Sequence, residues 1–265
     1  MDTLITRIAV WALIGFFAQM VDGSLGMGYG VTNNSFLIAM GVAPALASAS
    51  VHTAEIFTTL ISGGSHFFVG NVKKGWLLNL IIPGVLAGAA GAFLLSKIPG
   101  NIIKPYVAGI LLLLGLIMLY RFLFRKQVRM EKEEKKLNWS GRMKIGALAL
   151  VAAGVDAIGG GGWGPVATPG LILSTNTEPR KVVGTVNLAE FFVTCSISGT
   201  FLLLIGWQNF NWLLVGSLMV AGMIAAPIAA FICRRLPVRA AGIAIGILII
   251  LYNLRTLLKI FFGIG

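Results

Sequence analysis

Four acidic residues interrupt long apolar stretches of the chain. They are Asp22, Glu55, Asp156 and Glu190, whereas the other five acids lie in polar loops or near a terminus. In a membrane, an ionised carboxylate at the centre costs at least ~2.5–3.5 kcal/mol, so it needs a partner, a cavity or a proton. The four acids are therefore candidates for proton or ion chemistry. Asp22 and Asp156 precede glycine runs, so capping of a broken helix is the equal alternative for them.

A polar residue precedes each glutamate by one helical turn. His52 lies three residues before Glu55, and Asn187 lies three residues before Glu190, which places each pair on one helix face. A histidine beside a carboxylate predicts a proton-coupled gate, with a structural histidine as the alternative. His52 and Asn187 are also predicted to bind substrate. A single His/Glu pair is too sparse to predict a metal site, and no sequence motif indicates a cofactor, ATP binding or nucleophilic catalysis.

Each aspartate leads into a segment rich in glycine. These segments span residues 22–30 and 156–165 and include Gly28 and Gly162. A helix broken inside a bilayer leaves N–H and C=O groups unpaired unless the break is buried in protein or lines a cavity. Secondary transporters direct the N-terminal ends of such half-helices at anionic substrates. We therefore predict that Gly28 and Gly162 let the backbone approach a bound ion, with close helix packing as the alternative.

Amide and aromatic side chains flank the two glycine segments. Asn33 and Asn34 follow the first segment and could donate hydrogen bonds to an oxyanion, and Thr168 takes roughly the matching place after the second. Trp163 and Tyr29 occupy equivalent positions. They either seal a substrate cavity or simply pack against neighbouring helices, and we include Trp163 among the predicted substrate-binding residues.

The amino-acid composition indicates that these residues lie in a membrane protein. The chain has 265 residues, of which 57% are hydrophobic and 11% are charged, and its mean hydropathy is +0.90. Soluble domains carry about 25% charged residues, so a soluble enzyme, a secreted scaffold and a disordered protein are excluded. The net charge of +12 indicates basic loops on one side of a membrane rather than nucleic-acid binding. Cys195 and Cys233 lie in apolar runs and predict neither a disulfide nor a metal site.

Hydrophobic segments of about 20 residues predict the helices that cross the membrane. Six segments are long enough for one crossing each, and they are 45–69, 76–97, 102–124, 182–205, 212–233 and 238–262. The regions 4–42 and 145–173 contain the glycine segments, and we predict a hairpin of two short helices for each. The apolar runs place the first arms at 4–21 and 145–155 and the second arms at 31–42 and 166–173. The polar stretch Arg125–Lys144 is the natural linker between the two regions.

The two halves of the chain are related by duplication. Asp22 and Asp156 match at an offset of 134, as do the glycines that follow them, and Glu55 matches Glu190 at 135. This predicts a first repeat at residues 1–124, a basic linker at 125–144 and a second repeat at 145–265. Five helices per half is an odd number, so the halves insert in opposite orientations. This model places 16 of the 21 basic residues inside, against 14 if each broken region crosses once.

The predicted fold class is therefore an all-α polytopic membrane protein of two inverted repeats. Each repeat is a Gly-broken helical hairpin plus three transmembrane helices. The charge count also predicts that both termini lie outside and that the linker Arg125–Lys144 is cytoplasmic.

Three motifs resemble one family of bacterial permeases. They are GFFAQMVDGSLGMGYG at 15–30, ASASVH at 47–52 and GGGGWGP at 159–165. Together they are similar to the sulfite exporter TauE/SafE (4-toluene sulfonate uptake permease-like) family, over roughly residues 8–260. This resemblance implies transport of a small sulfur-containing anion, such as sulfite or an organosulfonate, across the cell inner membrane.

The residues and the resemblance together predict a secondary transporter that is coupled to an ion or to protons. No Lys or Arg falls clearly at the membrane centre, so backbone dipoles and amides would have to bind the anion. The alternative is a cation or metal-ion permease that uses the four buried acids as ligands. Two other classes fit the sequence less well. The chain lacks the nucleophile–base constellation that an intramembrane enzyme needs, and a purely structural role does not explain four acids in membrane segments. The expected partners are the sulfur oxyanion and membrane lipid, without cofactor or nucleic acid, and a homodimer is one assembly the sequence allows.

Overall fold

The structure is a computed structural model that describes residues 2–124, 138–175, 177–232 and 238–263. These ranges contain ten α-helices, a short 3-10 helix at Trp207–Asn209 and no β-strand, which confirms the all-α prediction. In chain order the helices are α1 Asp2–Leu25, α2 Tyr29–Ala39, α3 Pro44–Phe68, α4 Lys74–Lys97, α5 Gly100–Phe124, α6 Trp139–Gly159, α7 Trp163–Thr175, α8 Pro179–Ile205, α9 Trp212–Ile232 and α10 Val238–Phe262.

The first arm of each predicted hairpin is longer than the sequence suggested. Helix α1 continues through Asp22 and Gly23 to Leu25, and α6 has 21 residues and continues to Gly159. The second arms, α2 and α7, are short, with 11 and 13 residues. The hydrophobic runs end earlier than the helices because the last turns of α1 and α6 contain acids and glycines that face protein rather than lipid.

Proline fixes the start of the third helix in each half. Pro44 and Pro179 occupy the first turn of α3 and α8, where the missing N–H costs no hydrogen bond. Asn138 caps the start of α6, since its side chain accepts a hydrogen bond from the backbone N–H of Gly141. Of the predicted linker, residues 125–137 lie outside the described ranges, and residues 139–144 belong to α6. The domain boundaries stay a prediction.

Six helices in the described ranges have the length and apolar composition to cross a membrane. They are α1, α4, α5, α8, α9 and α10. Helix α3, which the sequence predicts as a spanning segment, is long enough but too polar, and its serine, threonine, histidine and glutamate side chains are buried. It can be polar because α2, α8 and α9 surround it, so its polar groups meet protein rather than lipid.

The two halves pack against each other reciprocally. Helix α1 packs on α9 and α6 packs on α4, while α3 packs on α8 and α5 on α10. Numbering each half from one to five, these contacts pair first with fourth, third with third and fifth with fifth helices. Two halves related by a pseudo-two-fold axis would pack in this pattern.

Equivalent helices run antiparallel. In the α3–α8 pair, Gly63 packs against Leu188, and three residues later His66 packs against Gly184. In the α5–α10 pair, Gly115 packs against Ile249, and Gly242 packs against Phe122. Halves of the same orientation would place equivalent helices parallel. The packing therefore favours the inverted relation predicted from the charge count, whereas the side on which the termini lie stays a prediction.

Antiparallel pairing predicts which chain ends face the same side of the membrane. In a background without Cys195 and Cys233, we expect Asn101→Cys and Phe262→Cys to react with an impermeant maleimide in intact cells, because both are predicted outside. Lys74→Cys and Arg180→Cys should react only after permeabilisation, since α3 ends where α8 begins. Reaction of Asn101→Cys and Phe262→Cys from opposite sides would contradict the inverted arrangement.

Candidate functional site

Helices α1 and α6 end with the same backbone turn. Gly26 and Gly160 have φ angles of +66° and +69°, and the N–H of each donates to the carbonyl oxygen of an aspartate four residues earlier, Asp22 or Asp156. Glycine is favoured at this left-handed position because it has no Cβ. The two breaks are therefore built alike, as the duplication predicts.

The two breaks contact each other through their backbones. A Cβ on Gly30 would lie 2.7 Å from the Cα of Gly161, and a Cβ on Gly161 would collide with the backbone nitrogen of Val31. A Cβ on Gly164 would likewise lie 2.6 Å from the carbonyl oxygen of Gly26. The glycines are thus required for close approach of the two breaks. In this conformation, backbone occupies the space between the N-termini of the two half-helices, where the glycine segments predict a bound ion.

Side chains from each half satisfy the open backbone of the other. The Asn34 Nδ2 donates to the carbonyl oxygen of Gly159 at the end of α6. Thr168, its equivalent, donates from Oγ1 to the carbonyl oxygen of Gly26 over 2.7 Å. These carbonyls lack partners within their own helices because each helix stops there. The reciprocal bonds replace the water that a membrane interior does not provide.

The aspartates tie each break back to its own helix. The backbone N–H of Gly162 donates to Asp156 Oδ1 over 2.8 Å, and that of Tyr29 reaches Asp22 Oδ1 over a long 3.5 Å. Both side chains are at most 3% exposed. The carboxylates thus have the geometry of caps. Asp156 is more than a cap, because its second oxygen, Oδ2, contacts another titratable side chain.

That side chain is His52, and the contact joins the two halves. His52 Nε2 lies 3.2 Å from Asp156 Oδ2 and 3.9 Å from Glu55 Oε2. His52 Nδ1 lies 2.8 Å from the carbonyl oxygen of Ser48, which can only accept, so Nδ1 carries a hydrogen. A hydrogen bond between Nε2 and Oδ2 then requires one more proton, either on the imidazole or on the carboxyl. In both cases the pair shares one proton and has no net charge.

The buried polar residues around His52 include several oxygen atoms that accept no hydrogen bond. Within the described ranges, the buried oxygens without a hydrogen-bond partner include Glu55 Oε2, Glu190 Oε2, Asn33 Oδ1, Asn34 Oδ1 and Asn187 Oδ1. The nitrogens of the three asparagines are engaged, Asn33 with the Tyr29 carbonyl and Asn187 with Ser62 Oγ. The sequence predicted that Asn33 and Asn34 donate to an oxyanion. In this conformation they instead present acceptors.

The four acids are close enough to interact electrostatically across the two halves. Glu190 interacts with Asp22, Glu55 and Asp156. Within the part of the chain that the structure describes, the ion pairs of these acids are those with His52. An ionised carboxylate in a membrane interior is costly without a partner, so protons or cations are the expected partners of these buried acids. In those same ranges no three His, Cys, Asp or Glu side chains converge in a metal-binding arrangement.

The two equivalent aromatic residues pack across the halves. The Tyr29 ring lies against Gly222 of α9 and its hydroxyl donates to the Leu218 carbonyl, while Trp163 lies against Gly84 of α4. Trp163 Nε1 donates to the Val186 carbonyl over 3.2 Å, so the polar group of each ring has a hydrogen-bond partner. Gly28, with φ +127°, precedes the first turn of α2.

Two serines that the sequence analysis missed also belong to the site. Ser48 donates from Oγ to the Ala157 carbonyl and fixes His52 through its own carbonyl, and Ser62 accepts from Asn187. The spacing of Ser48, four residues before His52 on the same helix face, is a signal that could have found it. No comparable spacing in the sequence identifies Ser62, because its hydrogen-bond partner, Asn187, comes from the other half.

Comparison with known proteins identifies the family of this chain. The family model for sulfite exporter TauE/SafE matches residues 11–256. The chain belongs to the sulfite exporter TauE/SafE family. It is 48% identical over 253 residues to the probable membrane transporter protein YtnM of Bacillus subtilis (strain 168), covering 96% of this chain and 83% of that protein. No solved structure matches the chain.

A second relative has a lower identity to the chain. The probable membrane transporter protein YdhB of Bacillus subtilis (strain 168) is 27% identical over 183 residues, which covers 68% of this chain and 71% of that protein. This member of the TauE/SafE family is accordingly a multi-pass membrane transporter and not an enzyme.

The contact between the two breaks predicts a severe effect of one added methyl group. We expect Gly161→Ala to lower the melting temperature of the detergent-purified transporter, since forced overpacking costs about 1–3 kcal/mol. Gly154→Ala in α6 is the matched control, because its Cβ would meet no atom of the described residues within 4 Å and alanine favours helix. Equal melting temperatures for the two variants would contradict the backbone contact.

Proposed function

We propose that this transporter moves a small sulfur-containing anion, such as sulfite or an organosulfonate, across the bacterial inner membrane together with protons. The observation that carries the proposal is the buried contact of His52 Nε2 with Asp156 Oδ2 over 3.2 Å, which joins the two halves and has the geometry for sharing one proton. The family membership supports the class of substrate. A proton at this junction can affect both halves at once.

The sign of the charges supports coupling to protons. An anion that enters beside an ionised carboxylate is repelled by roughly 3 kcal/mol at ~6 Å and an effective dielectric constant of ~20. This amounts to about a hundred-fold loss of affinity. Protonation of Glu55 or Glu190 removes the repulsion and converts an acceptor oxygen into a donor for the anion. Protons and the anion therefore bind with positive cooperativity.

The breaks supply the remaining part of the mechanism. We propose that the two breaks separate during transport, which opens the first-turn N–H groups beside Gly28 and Gly162 and releases the Asn34 amide from the Gly159 carbonyl. The amide nitrogens of Asn33 and Asn187 would exchange their present partners, the Tyr29 carbonyl and the Ser62 hydroxyl, for the anion. These donors, with His52, would then hold the anion, and Trp163 would close the cavity behind it. Broken helices near the centre of two related halves are a common substrate site in secondary transporters. Without Lys or Arg in the site, the affinity would be modest.

Transport in reconstituted vesicles tests the proposed substrate class. We expect flux of at least one of sulfite, sulfoacetate and sulfate in proteoliposomes, and we expect a pH gradient to change its rate several-fold. The measurement is accumulation of the anion with and without the gradient, against empty liposomes. An absence of flux for all three anions at every gradient would overturn the proposal.

Neutralising one buried glutamate should remove the coupling. We expect Glu190→Gln, and separately Glu55→Gln, to weaken the pH dependence of anion flux at least ten-fold, because an amide cannot exchange the proton. Glu178→Gln is the control, since Glu178 is exposed and pairs with Arg180 at the surface. If both buried variants kept the normal pH profile, the two glutamates would have no coupling role.

A cation permease is the second candidate, and the acceptor oxygens of Glu55, Glu190 and Asn187 favour it. The same two variants separate the candidates. Under anion transport, Glu190→Gln keeps anion flux at acidic pH because glutamine resembles the protonated acid. Under cation transport, the variant loses a charged ligand and cation flux falls at every pH.

A further inference from the structure

A groove opens on the side of the helix bundle between α1 and α10. Its volume is about 470 Å³, and its walls are almost entirely apolar, with Phe17 and Val21 on α1 and Leu248 and Tyr252 on α10. We call it the lateral groove. Both wall helices have the composition of membrane-crossing segments, so the groove opens towards lipid.

A second cavity lies farther along α10 and has a different chemistry. Its volume is about 290 Å³, and it is lined by Lys104 of α5 and by Arg255, Thr256 and Lys259 of α10, next to the end of α2 at Gly41. We call it the basic pocket. It brings three cationic side chains together, and among the described residues no carboxylate forms an ion pair with them.

The two cavities share one face of α10. Leu248, Tyr252, Arg255 and Lys259 follow one another at spacings of four, three and four residues, which places them in one stripe along the helix. The stripe is about 16 Å long at 1.5 Å per residue. It is apolar towards the middle of α10 and basic towards its end, which is the polarity of half a bilayer.

We propose that the lateral groove and the basic pocket together bind one anionic phospholipid. Its acyl chain lies in the lateral groove, and its phosphate is held by Lys104, Arg255 and Lys259. Basic pockets between membrane helices recognise anionic headgroups through this charge complementarity. A freely diffusing anion would use the basic pocket but leaves the adjoining apolar groove unexplained. The proposal depends neither on the transported substrate nor on the side on which the termini lie.

Lipid retention tests the proposal on the full-length transporter. The protein is purified in detergent, supplied with mixed phosphatidylglycerol and phosphatidylcholine, and examined by native mass spectrometry and thermal unfolding. We expect selective retention of phosphatidylglycerol, about ten-fold over phosphatidylcholine, and a higher melting temperature with the anionic lipid. The combined variant Lys104→Gln, Arg255→Gln, Lys259→Gln should lose the selectivity, because the phosphate loses its three partners.

Two further variants separate the parts of the site. Lys97→Gln removes an exposed charge outside the basic pocket and should retain phosphatidylglycerol normally. Ala244→Trp narrows the lateral groove without changing the charge, and it should reduce retention of both lipids.

Three results would overturn the proposal. The first is equal retention of the two lipids by the unaltered protein, and the second is undiminished selectivity in the triple variant. The third is full replacement of the lipid's stabilising effect by inorganic sulfate alone, which would make the basic pocket a site for free anions. Loss of anion transport with normal lipid retention would bear on the proposed function only.

Discussion

Backbone groups inside a membrane must find partners within the protein, and the architecture of this transporter follows from that requirement. In each half the first helix stops at a left-handed glycine beside the other half, and this stop leaves carbonyl oxygens without a helical partner. Asn34 of the first half supplies the partner for the second, and Thr168 of the second half supplies the partner for the first. Because glycine has no side chain, the glycines at the two helix ends let the backbones come close enough for these bonds. The polar surface of α3 has the same explanation, since it faces this junction rather than lipid.

The buried charges obey a related constraint. A membrane interior disfavours net charge, yet Asp22, Glu55, Asp156 and Glu190 are all buried near one junction. His52 lies against Asp156 with the geometry for sharing one proton, and the position of its ring is fixed through Ser48. Any further negative charge at the junction has to be balanced by protons or cations. Under the proposed function, this requirement would link binding of the transported ion to protonation of the buried acids.

Much of this arrangement was predictable from the sequence, because it depends on local spacing. The offset between Asp22 and Asp156 identified both breaks, and the three-residue spacing of His52 and Glu55 placed them on one helix face. The ends of α1 and α6 were placed too early, because a hydropathy pattern cannot show that Asp22 and Gly23 face protein. The nearest carboxylate to His52 was also missed, since Asp156 comes from the other half at a separation of 104 residues. The donors of Asn33 and Asn34 were expected to face a substrate, but nearby backbone carbonyls compete for them.

The fusion of two related halves in one chain has a consequence for symmetry. An assembly of two identical halves would place the same side chain on both sides of its axis, so it would contain two copies of every titrating group. Here the position of His52 is occupied in the second half by Asn187, and that of Asn34 by Thr168. The framework of helices keeps its pseudo-symmetry while the polar centre does not. Among the described residues, the junction of the two halves therefore has a single histidine–aspartate pair, and the two directions across the membrane are chemically distinct.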